Sequence, residues 1–196
     1  MGLSCLPIEP AADSVDLNIN IENVVASATL NQKIDLLPIM KVFRNVEYKP
    51  KRFPGLVFRL KRPKTATLIF HSGKMVCTGA KSEKTAKSAI MKVVRELKNG
   101  GIVILNKPEI TVQNIVASAN LQRKVDLEDA SDLLDNVMYE PEQFPGMIYR
   151  MQSPKAVLLI FTSGKIVCTG AKNEGAVNEA VVKLHAILED YDLFFE

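Results

Sequence analysis

The sequence predicts an α+β fold in which two similar halves form one curved antiparallel sheet, a saddle with four helices on its convex face. The prediction rests on an internal repeat, strand-like alternation and two helical segments per copy. Sliding the 196-residue chain against itself by 91 positions aligns residues 19–97 with 110–188, and 36 of these 79 pairs are identical. Because solenoids need three or more repeats to bury their faces, two copies predict a pseudo-twofold protein, with residues 98–108 as the linker.

Each copy is expected to begin with strands and a short helix. In the first copy, residues 19–30 alternate and are rich in small and β-branched residues, which is typical of a strand, and residues 56–60 form another. Residues 36–45 predict a short helix with Pro38 in its first turn, where proline is tolerated. Residues 67–70 and 75–78 flank residues 71–74, whose sequence His-Ser-Gly-Lys predicts a hairpin turn.

A second, longer helix closes each copy. Ser82 and Asn173 are the expected N-caps, and Gly100 with Gly101 is expected to end the first helix. The apolar residues of each helix fall on one face, namely Ala86, Ala89, Ile90, Val93, Val94 and Leu97 in the first copy and Val177, Ala180, Val181, Leu184 and Leu188 in the second. Strands and helices in this order predict an antiparallel sheet that is covered on one side only.

The domain organisation follows from the repeat. Residues 1–17 are expected to be a flexible lead-in, residues 18–104 the first saddle repeat, and residues 105–196 the second repeat with an acidic tail at 189–196 that is expected to be solvated. The first 16 residues contain three acids, two prolines and no basic region, unlike a signal peptide. The longest apolar runs are far shorter than the ~20 residues of a membrane span. We therefore expect a soluble intracellular protein without a membrane partner.

The three cysteines, Cys5, Cys77 and Cys168, are odd in number and form no close pair. This argues against a disulfide framework or a four-ligand zinc site. Inert buried thiols are the expected reading, and neither a metal nor a cofactor is predicted.

The net charge of +3 conceals a strong asymmetry between the halves. Residues 18–104 contain 17 Lys and Arg against 5 Asp and Glu, a net charge of +12, whereas residues 109–196 contain 7 against 14, a net charge of −7. A basic half indicates a polyanionic partner, and an acidic half indicates a basic protein partner or ordinary solvated charge.

One side of the predicted sheet lacks the charges of a solvated face. Since side chains alternate across a strand, Met75 and Cys77 should meet the helices, while Lys74, Val76 and Thr78 should point the other way. The same parity exposes residues that are small, weakly polar and uncharged, namely Asn23, Val25, Ser27 and Thr29 in the first copy and Asn114, Val116, Ser118 and Asn120 in the second. An uncovered, nearly neutral sheet face indicates a binding surface.

Basic residues border this face in both copies. They are Arg52, Arg59, Lys64, Lys74 and Lys81 in the first half and Arg150, Lys155, Lys165 and Lys172 in the second. Four of them recur at matching positions, Arg59 with Arg150, Lys64 with Lys155, Lys74 with Lys165 and Lys81 with Lys172. Such recurrence favours phosphate contacts over incidental surface charge.

A doubled motif connects the chain to a known family. Each copy contains Tyr-x-Pro, Phe-Pro-Gly, Arg, Pro-Lys, Leu-Ile-Phe-x-Ser-Gly-Lys and Val-Cys-Thr-Gly-Ala-Lys, from Tyr48 to Lys81 and from Tyr139 to Lys172. This motif resembles the core of TATA-box-binding proteins over about residues 18–190. The short N-terminal extension is more similar to the archaeal branch than to the eukaryotic one. The resemblance implies a general transcription factor that binds the minor groove of A·T-rich promoter DNA and bends it.

The resemblance also assigns roles to residues. By this resemblance, four phenylalanines are expected to wedge between base steps and kink the duplex. They are Phe53, Phe70, Phe144 and Phe161. Asn23 and Asn114 match the central asparagines, whose amides suit the acceptors of A·T pairs. A guanine amino group in the minor groove would clash with four valines, namely Val25, Val76, Val116 and Val167. The hydroxyl residues Thr78, Thr169, Ser72 and Ser163 complete the DNA-binding set that the resemblance implies.

Partners are implied in the same way. The second Phe-Pro-Gly loop is expected to dock transcription factor B through Glu140 and Glu142, while Gln143 departs from the leucine common at that position and alters one contact. RNA polymerase is an expected indirect partner, and a weak homodimer without DNA stays open. The protein is expected to act with the chromosome, in the cytoplasm or nucleoid if archaeal and in the nucleus if eukaryotic.

Three alternative functions are weighed against DNA binding. An enzyme is disfavoured because the two histidines, His71 and His185, do not recur between the copies and no phosphate loop or metal spacing is present. A sheet platform for single-stranded nucleic acid would place its aromatics in mid-strand, whereas these aromatics are expected at loops and strand ends. A protein-binding scaffold stays open if the basic border plays no part.

Overall fold

The computed structural model describes residues 17–195, in which ten strands form one open antiparallel sheet with four helices. The first copy contains β1 (Asn20–Thr29), α1 (Leu36–Val42), β2 (Val46–Glu47), β3 (Leu56–Leu60), β4 (Thr65–Ile69), β5 (Lys74–Ala80) and α2 (Glu83–Asn99). The second contains β6 (Glu109–Asn120), α3 (Leu127–Leu133), β7 (Val137–Met138), β8 (Gly146–Met151), β9 (Ala156–Phe161), β10 (Lys165–Ala171) and α4 (Glu174–Asp190).

The two halves share a single sheet. The strand order is β2-β3-β4-β5-β1-β6-β10-β9-β8-β7, and β1 pairs with β6 antiparallel at the centre. The pseudo-twofold axis therefore passes between these two strands, and each half extends from it to an outer edge. The predicted α+β fold with duplicated halves and four helices is confirmed.

Helix boundaries agree with the capping signals. The Ser82 side chain accepts a hydrogen bond from the Thr85 amide at 3.0 Å, and Asn173 Oδ1 accepts one from the Ala176 amide at 2.7 Å. Gly100 is the C-cap of α2. Because α2 continues to Asn99, the linker begins at residue 100 and not at 98. The two-residue edge strands β2 and β7 were not predicted, since two residues are too short to show alternation.

The core lies between the sheet and the helices. Val24, Ala26 and Ala28 of β1 are buried, as are all the predicted apolar residues of α2 and α4. Cys77 and Cys168 are buried among them, and burial raises the pKa of the Cys77 thiol and brings the pKa of Cys168 to about 11. Both thiols are protonated at neutral pH, which fits the inert role predicted for them. Cys5 lies outside the described residues.

Two predictions about the chain ends were wrong. Leu17, assigned to the flexible lead-in, is buried, and its carbonyl accepts a hydrogen bond from the Asn120 amide at 3.1 Å. The acidic tail is not simply solvated, because Leu193 and Phe194 are 2% and 7% exposed. Apolar side chains between the acids account for this, since they gain by leaving water. The rest of the lead-in, residues 1–16, lies outside the described residues.

No helix between residues 17 and 195 is both long and apolar enough to cross a membrane.

A reciprocal pair of glutamates joins the two long helices. The Glu83 amide donates to the carboxylate of Glu174 at 2.8 Å, and the Glu174 amide donates to the carboxylate of Glu83 at 2.9 Å. Each carboxylate thereby satisfies an unpaired N–H in the first turn of the other helix, where the helix dipole also favours negative charge. The pair holds the helix layers of the two halves together.

We expect Glu83→Ala to lower the free energy of unfolding by about 1 kcal/mol, because the Glu174 amide loses its charged acceptor. Urea denaturation measures the change. Lys87→Ala is the matched control, since Lys87 lies 4.0 Å from Glu83 in an exposed ion pair that contributes little. Equal stabilities of the two variants would contradict the capping role.

Candidate nucleic-acid interface

The sheet face opposite the helices, here called the open face, is not covered by any helix or strand among residues 17–195. At its centre Val25 lies opposite Asn114 and Asn23 lies opposite Val116 across the β1–β6 pairing. All four side chains are half-buried, whereas Val24, Ala26, Ile115 and Ala117, which alternate with them along the strands, are buried. The parity argument therefore identified the correct face, and the pseudo-twofold axis brings the two Asn-Val pairs together.

The orientation of both asparagine amides is set by the backbone. Asn23 Oδ1 accepts a hydrogen bond from the Gly79 amide at 2.7 Å, and Asn114 Oδ1 accepts one from the Gly170 amide at 2.7 Å. Since a backbone N–H is only a donor, the amide oxygen must face it and the NH2 group must lie on the other side. Gly79 and Gly170 have backbone φ angles of 95° and 87°, which residues other than glycine rarely adopt.

Threonines complete the two central sites. Asn23 Nδ2 donates to Thr78 Oγ1 at 3.0 Å, and Asn114 Nδ2 donates to Thr169 Oγ1 at 3.2 Å. Each NH2 group uses one hydrogen in this bond and keeps a second for a ligand. The arrangement presents two amide donors, held in place, at the centre of the face.

Aliphatic side chains extend from the centre towards both ends. In the first half Val57 lies opposite Leu68, which lies opposite Val76; in the second half the same row is formed by Ile148, Leu159 and Val167. All six side chains are half-buried. The sequence interpretation included only the two valines nearest the centre. Applying the same parity to β3, β4, β8 and β9 would have found the other four.

Paired phenylalanine rings stand at each end of the open face. Phe53 and Phe70 have ring centroids 5.8 Å apart at an interplanar angle of 67°, and Phe144 and Phe161 repeat this at 5.8 Å and 65°. Phe53 and Phe144 are 39% and 38% exposed although each is a large apolar ring. The structure thus places all four rings at loops or strand ends, two and two, and none in the fully buried core.

The glycine of each Phe-Pro-Gly sequence makes room for these rings. A Cβ atom on Gly55 would lie 2.6 Å from Phe53 and 3.0 Å from Phe70, and one on Gly146 would lie 2.8 Å from Phe144 and 3.0 Å from Phe161. Any larger residue would push the rings out of this arrangement. The sequence interpretation did not select these two glycines, which set the space between the rings.

The predicted basic residues surround the open face. Arg59, Lys64 and Lys81 line one shallow depression with Asn23 and Thr78. Elsewhere Arg52 lies beside Phe53, and Lys165 and Ser163 lie beside Phe161. The nine basic side chains are all exposed, including Lys74, Arg150, Lys155 and Lys172, and so are the two turn serines, Ser72 and Ser163.

The acidic residue Glu22 lies within the basic border. Glu22 accepts hydrogen bonds from Lys81 Nζ at 2.9 Å and from Ser118 Oγ at 2.7 Å. The bond from Lys81, followed by that from Ser118, lowers the pKa of the Glu22 carboxyl below its ordinary value, so this side chain stays ionised. At the matching position Gln113 donates to Ser27 Oγ at 2.7 Å without any charge. The sequence interpretation missed this acid because Glu22 lies in a β-bulge, where alternation fails.

The loop predicted to dock a protein partner is exposed. Glu140, Glu142 and Gln143 lie between β7 and β8, and the Glu140 carbonyl accepts hydrogen bonds from the Gln143 and Phe144 amides at 2.9 Å. Its counterpart in the first copy carries Lys49, Lys51 and Arg52. The two loops therefore have the same backbone turn and opposite charge.

The two histidines lie in different surroundings. His71 Nδ1 is 2.8 Å from the Ile34 carbonyl oxygen. His185 is buried, with its ring centroid 5.4 Å from that of Phe194 and its Nδ1 atom 3.5 Å from a carboxylate oxygen of Glu189. Within the described part of the chain, no group of three or more His, Cys, Asp or Glu side chains is arranged to hold a metal ion.

The fold and this face define a class of protein: a duplicated α+β fold that leaves one nearly neutral sheet face open between basic borders and pairs of exposed rings. Comparisons with known proteins identify the family. The sequence profile of "Transcription factor TFIID (or TATA-binding protein, TBP)" matches residues 18–100 and again residues 109–191.

Relatives agree over most of the chain. The TATA-box-binding protein of Sulfurisphaera tokodaii is 54% identical over 174 residues, which are 89% of this chain and 88% of that protein. That of Pyrodictium occultum is 56% identical over 170 residues, or 87% and 85%. The solved structure of Methanococcus jannaschii TBP superposes with a TM-score of 0.80 at 47% identity, covering 88% of this chain and 98% of that one.

The chain belongs to the TATA-binding protein family, and its relatives are of the archaeal type. This is a family of DNA-binding transcription factors and not of enzymes. The repeat, the fold class and the family resemblance read from the sequence are confirmed.

Proposed function

We propose that this chain is a transcription initiation factor that binds A·T-rich TATA-type promoter DNA from the minor groove, kinks it with its four phenylalanines and nucleates assembly of the initiation complex. The observation that carries the proposal is the open face itself. It combines two oriented amide donors at a neutral centre with two ring pairs at its ends. The names of the relatives, all TATA-box-binding proteins, support the same conclusion.

The central residues suit the minor groove of A·T pairs. That groove offers only acceptors, adenine N3 and thymine O2, whereas a G·C pair adds the guanine amino group. The free N–H hydrogens of Asn23 and Asn114 are therefore complementary to A·T pairs. The adjacent Val25 and Val116 leave no acceptor for a guanine amino group. Discrimination of A·T from G·C should be strong and that of A·T from T·A weak.

The ring pairs suit a kinked duplex. A flat apolar ring inserted into a base step unstacks it at a cost of a few kcal/mol, offset by the larger surface that bent DNA contacts. Each pair is held together by an edge-to-face contact and stays partly exposed. The rings are thereby available for insertion without prior exposure of the core.

Mobility-shift titration with A·T-rich duplex, G·C-rich duplex and single-stranded DNA tests the proposal. Preference for the A·T-rich duplex is the expected outcome. Preference for single strands would favour a base-stacking platform instead. Binding to none of the three would favour a protein-binding scaffold.

The proposal extends to protein partners. The acidic loop with Glu140 and Glu142 is a suitable docking site for a basic region of transcription factor B, and RNA polymerase would follow indirectly. Gln143 lies in the same loop and would replace an apolar contact with a polar one. A weak homodimer without DNA stays a further proposal, because the open face is apolar and uncovered.

Replacing Phe70 and Phe161 by alanine together should weaken binding to a TATA-type duplex by about 30-fold or more, since two stacked rings at ~1–3 kcal/mol each contribute at least about 2 kcal/mol. Bending should fall as well, measured by fluorescence transfer between the labelled ends of the duplex. Val182→Ala, on the helix-covered side, is the control. Unchanged transfer in the double variant would refute the wedge mechanism.

Lys74→Ala should weaken binding to every DNA sequence alike, because an ammonium on the border contacts phosphate and carries no sequence information. The slope of log K against log salt concentration should fall in magnitude by about 0.9. Lys87→Ala on α2 should leave the slope unchanged. A loss confined to one base pair would show that Lys74 reads a base instead.

Glu22→Gln should strengthen DNA binding by about two- to fivefold at low salt, because it removes a negative charge from the border and frees Lys81 for phosphate. Gln113 shows that the fold accepts glutamine at the matching position. Since the Glu22 pKa is lowered, the wild-type side chain stays charged on mild acidification and the difference should persist at pH 5. Glu128→Gln on α3 is the matched control, and weaker binding of Glu22→Gln would contradict this role.

A further inference from the structure

The helix-covered side of the first half carries an exposed apolar surface around its short helix. We define the α1 patch as Leu37, Met40 and Val42 of α1 together with Val103 and Leu105 of the linker, which are 52%, 42%, 52%, 71% and 78% exposed. These residues are close together, because α1 has seven residues and spans only ~10 Å. A cluster of this size on a surface is typical of an interaction site.

The linker is held against both ends of α1. Gln32, just before the helix, donates to the Val103 carbonyl at 2.8 Å and accepts from the Leu105 amide at 2.8 Å. At the other end, Gly100 is packed beside Val42 and Phe43. The linker thus adds its exposed side chains to those of the helix.

The second copy shows that the fold does not require this patch. The counterparts of Leu37 and Met40 are Glu128 and Ser131, and those of Lys41 and Arg44 are Asp132 and Asp135. The counterpart of Val42, Leu133, is also apolar and is 54% exposed, so the copies differ at the other four positions, where the first is apolar or basic and the second polar or acidic. The first copy has the composition of a surface that attracts an acidic partner with apolar side chains.

In the second half the chain's own tail packs against the loop before the matching helix α3. This tail follows α4 as the linker follows α2, and Phe194 packs there with its ring centroid 4.3 Å from Arg123 Cζ. The Leu193 carbonyl accepts from the Asp126 amide at 2.9 Å, and the Phe195 amide donates to the Lys124 carbonyl at 3.0 Å. The apolar residues Leu193, Phe194 and Phe195, which follow the acids Glu189, Asp190 and Asp192 in the chain, thus lie along the loop before α3.

In the first half the linker takes the place of the tail, but without the tail's backbone pairing to the loop. The counterparts of Lys124 and Asp126 are Lys33 and Asp35, and among residues 17–195 no backbone hydrogen bond joins either to the linker. Ile104 is buried, while Val103, which occupies the position of Phe194 in the repeat, is exposed. The linker therefore leaves apolar side chains at the surface where the tail buries an aromatic ring.

We propose that the α1 patch docks a short acidic segment with aromatic or large aliphatic side chains from another protein, similar in composition to the tail. Lys33, Lys41 and Arg44 supply the complementary charge. The site lies on the helix-covered side of the sheet and does not depend on DNA binding.

A fluorescein-labelled peptide with the sequence of residues 189–196 is the probe, and anisotropy titration with the full-length protein is the measurement. We expect saturable binding with a Kd below about 1 mM. Replacing Leu37 by Glu and Met40 by Ser together should weaken it about tenfold or more. Replacing Lys41 and Arg44 by Asp should weaken it similarly, with a difference that narrows as salt is added.

These changes are compatible with the fold, because the second copy carries the same residues at the matching positions. Val182→Met on α4 is the control that should leave peptide affinity unchanged. DNA mobility shifts confirm that each variant is folded and separate this site from the open face.

The remaining outcomes would overturn the proposal. Absence of saturable binding would show that the protein does not dock such a segment. Equal affinity of the Leu37/Met40 variant and the wild-type protein would show that the peptide binds outside the α1 patch. Self-association abolished by the same substitutions would make a second copy the occupant. Tighter peptide binding by a full-length Leu6→Ser, Ile8→Ser variant would assign the site to the chain's own lead-in, and binding to anionic vesicles in place of the peptide would assign it to a lipid surface.

Discussion

The antiparallel pairing of β1 with β6 is the constraint on which the molecule depends. It converts two repeats, each with only half of a sheet, into one ten-stranded surface, and it places Asn23 and Val25 opposite Val116 and Asn114. A register slip of one residue would turn these side chains towards the helices. The neutral centre, the positions of the ring pairs and the reciprocal Glu83–Glu174 caps all follow from this one pairing.

The two halves are alike on the open face but differ in charge on the loops and helices. On the open face the two halves are nearly identical in amides, aliphatic rows and rings, which suits a duplex whose minor groove is itself close to twofold symmetric. On the loops and helices the halves are opposite in charge, as Lys49 and Lys51 against Glu140 and Glu142 show. A protein partner can therefore distinguish the two ends of the molecule by their charge, whereas the open face is nearly the same at both ends.

Much of the candidate site was predictable because its signals are local. Alternation sorted Val24 from Val25, and the repeat doubled the weight of each phenylalanine. The sequence analysis did not select Glu22, because a β-bulge breaks the alternation there. It did not select Gly55 and Gly146, because these glycines make room for rings that come from different parts of the chain. The tail was misjudged because its acids are evident in the sequence, whereas the burial of Leu193 and Phe194 depends on a loop some 70 residues earlier in the chain.

The sequence by itself determined the duplication, the strand and helix types, the caps at Ser82 and Asn173 and the identity of the exposed face, since all of these depend on periodicity or on neighbours within a few residues. Only the tertiary structure decided that both halves join through their first strands, that each amide is oriented by a glycine N–H and that the tail packs on the second half. These features require contacts between residues far apart in the chain, and no local pattern encodes the distance between two such residues.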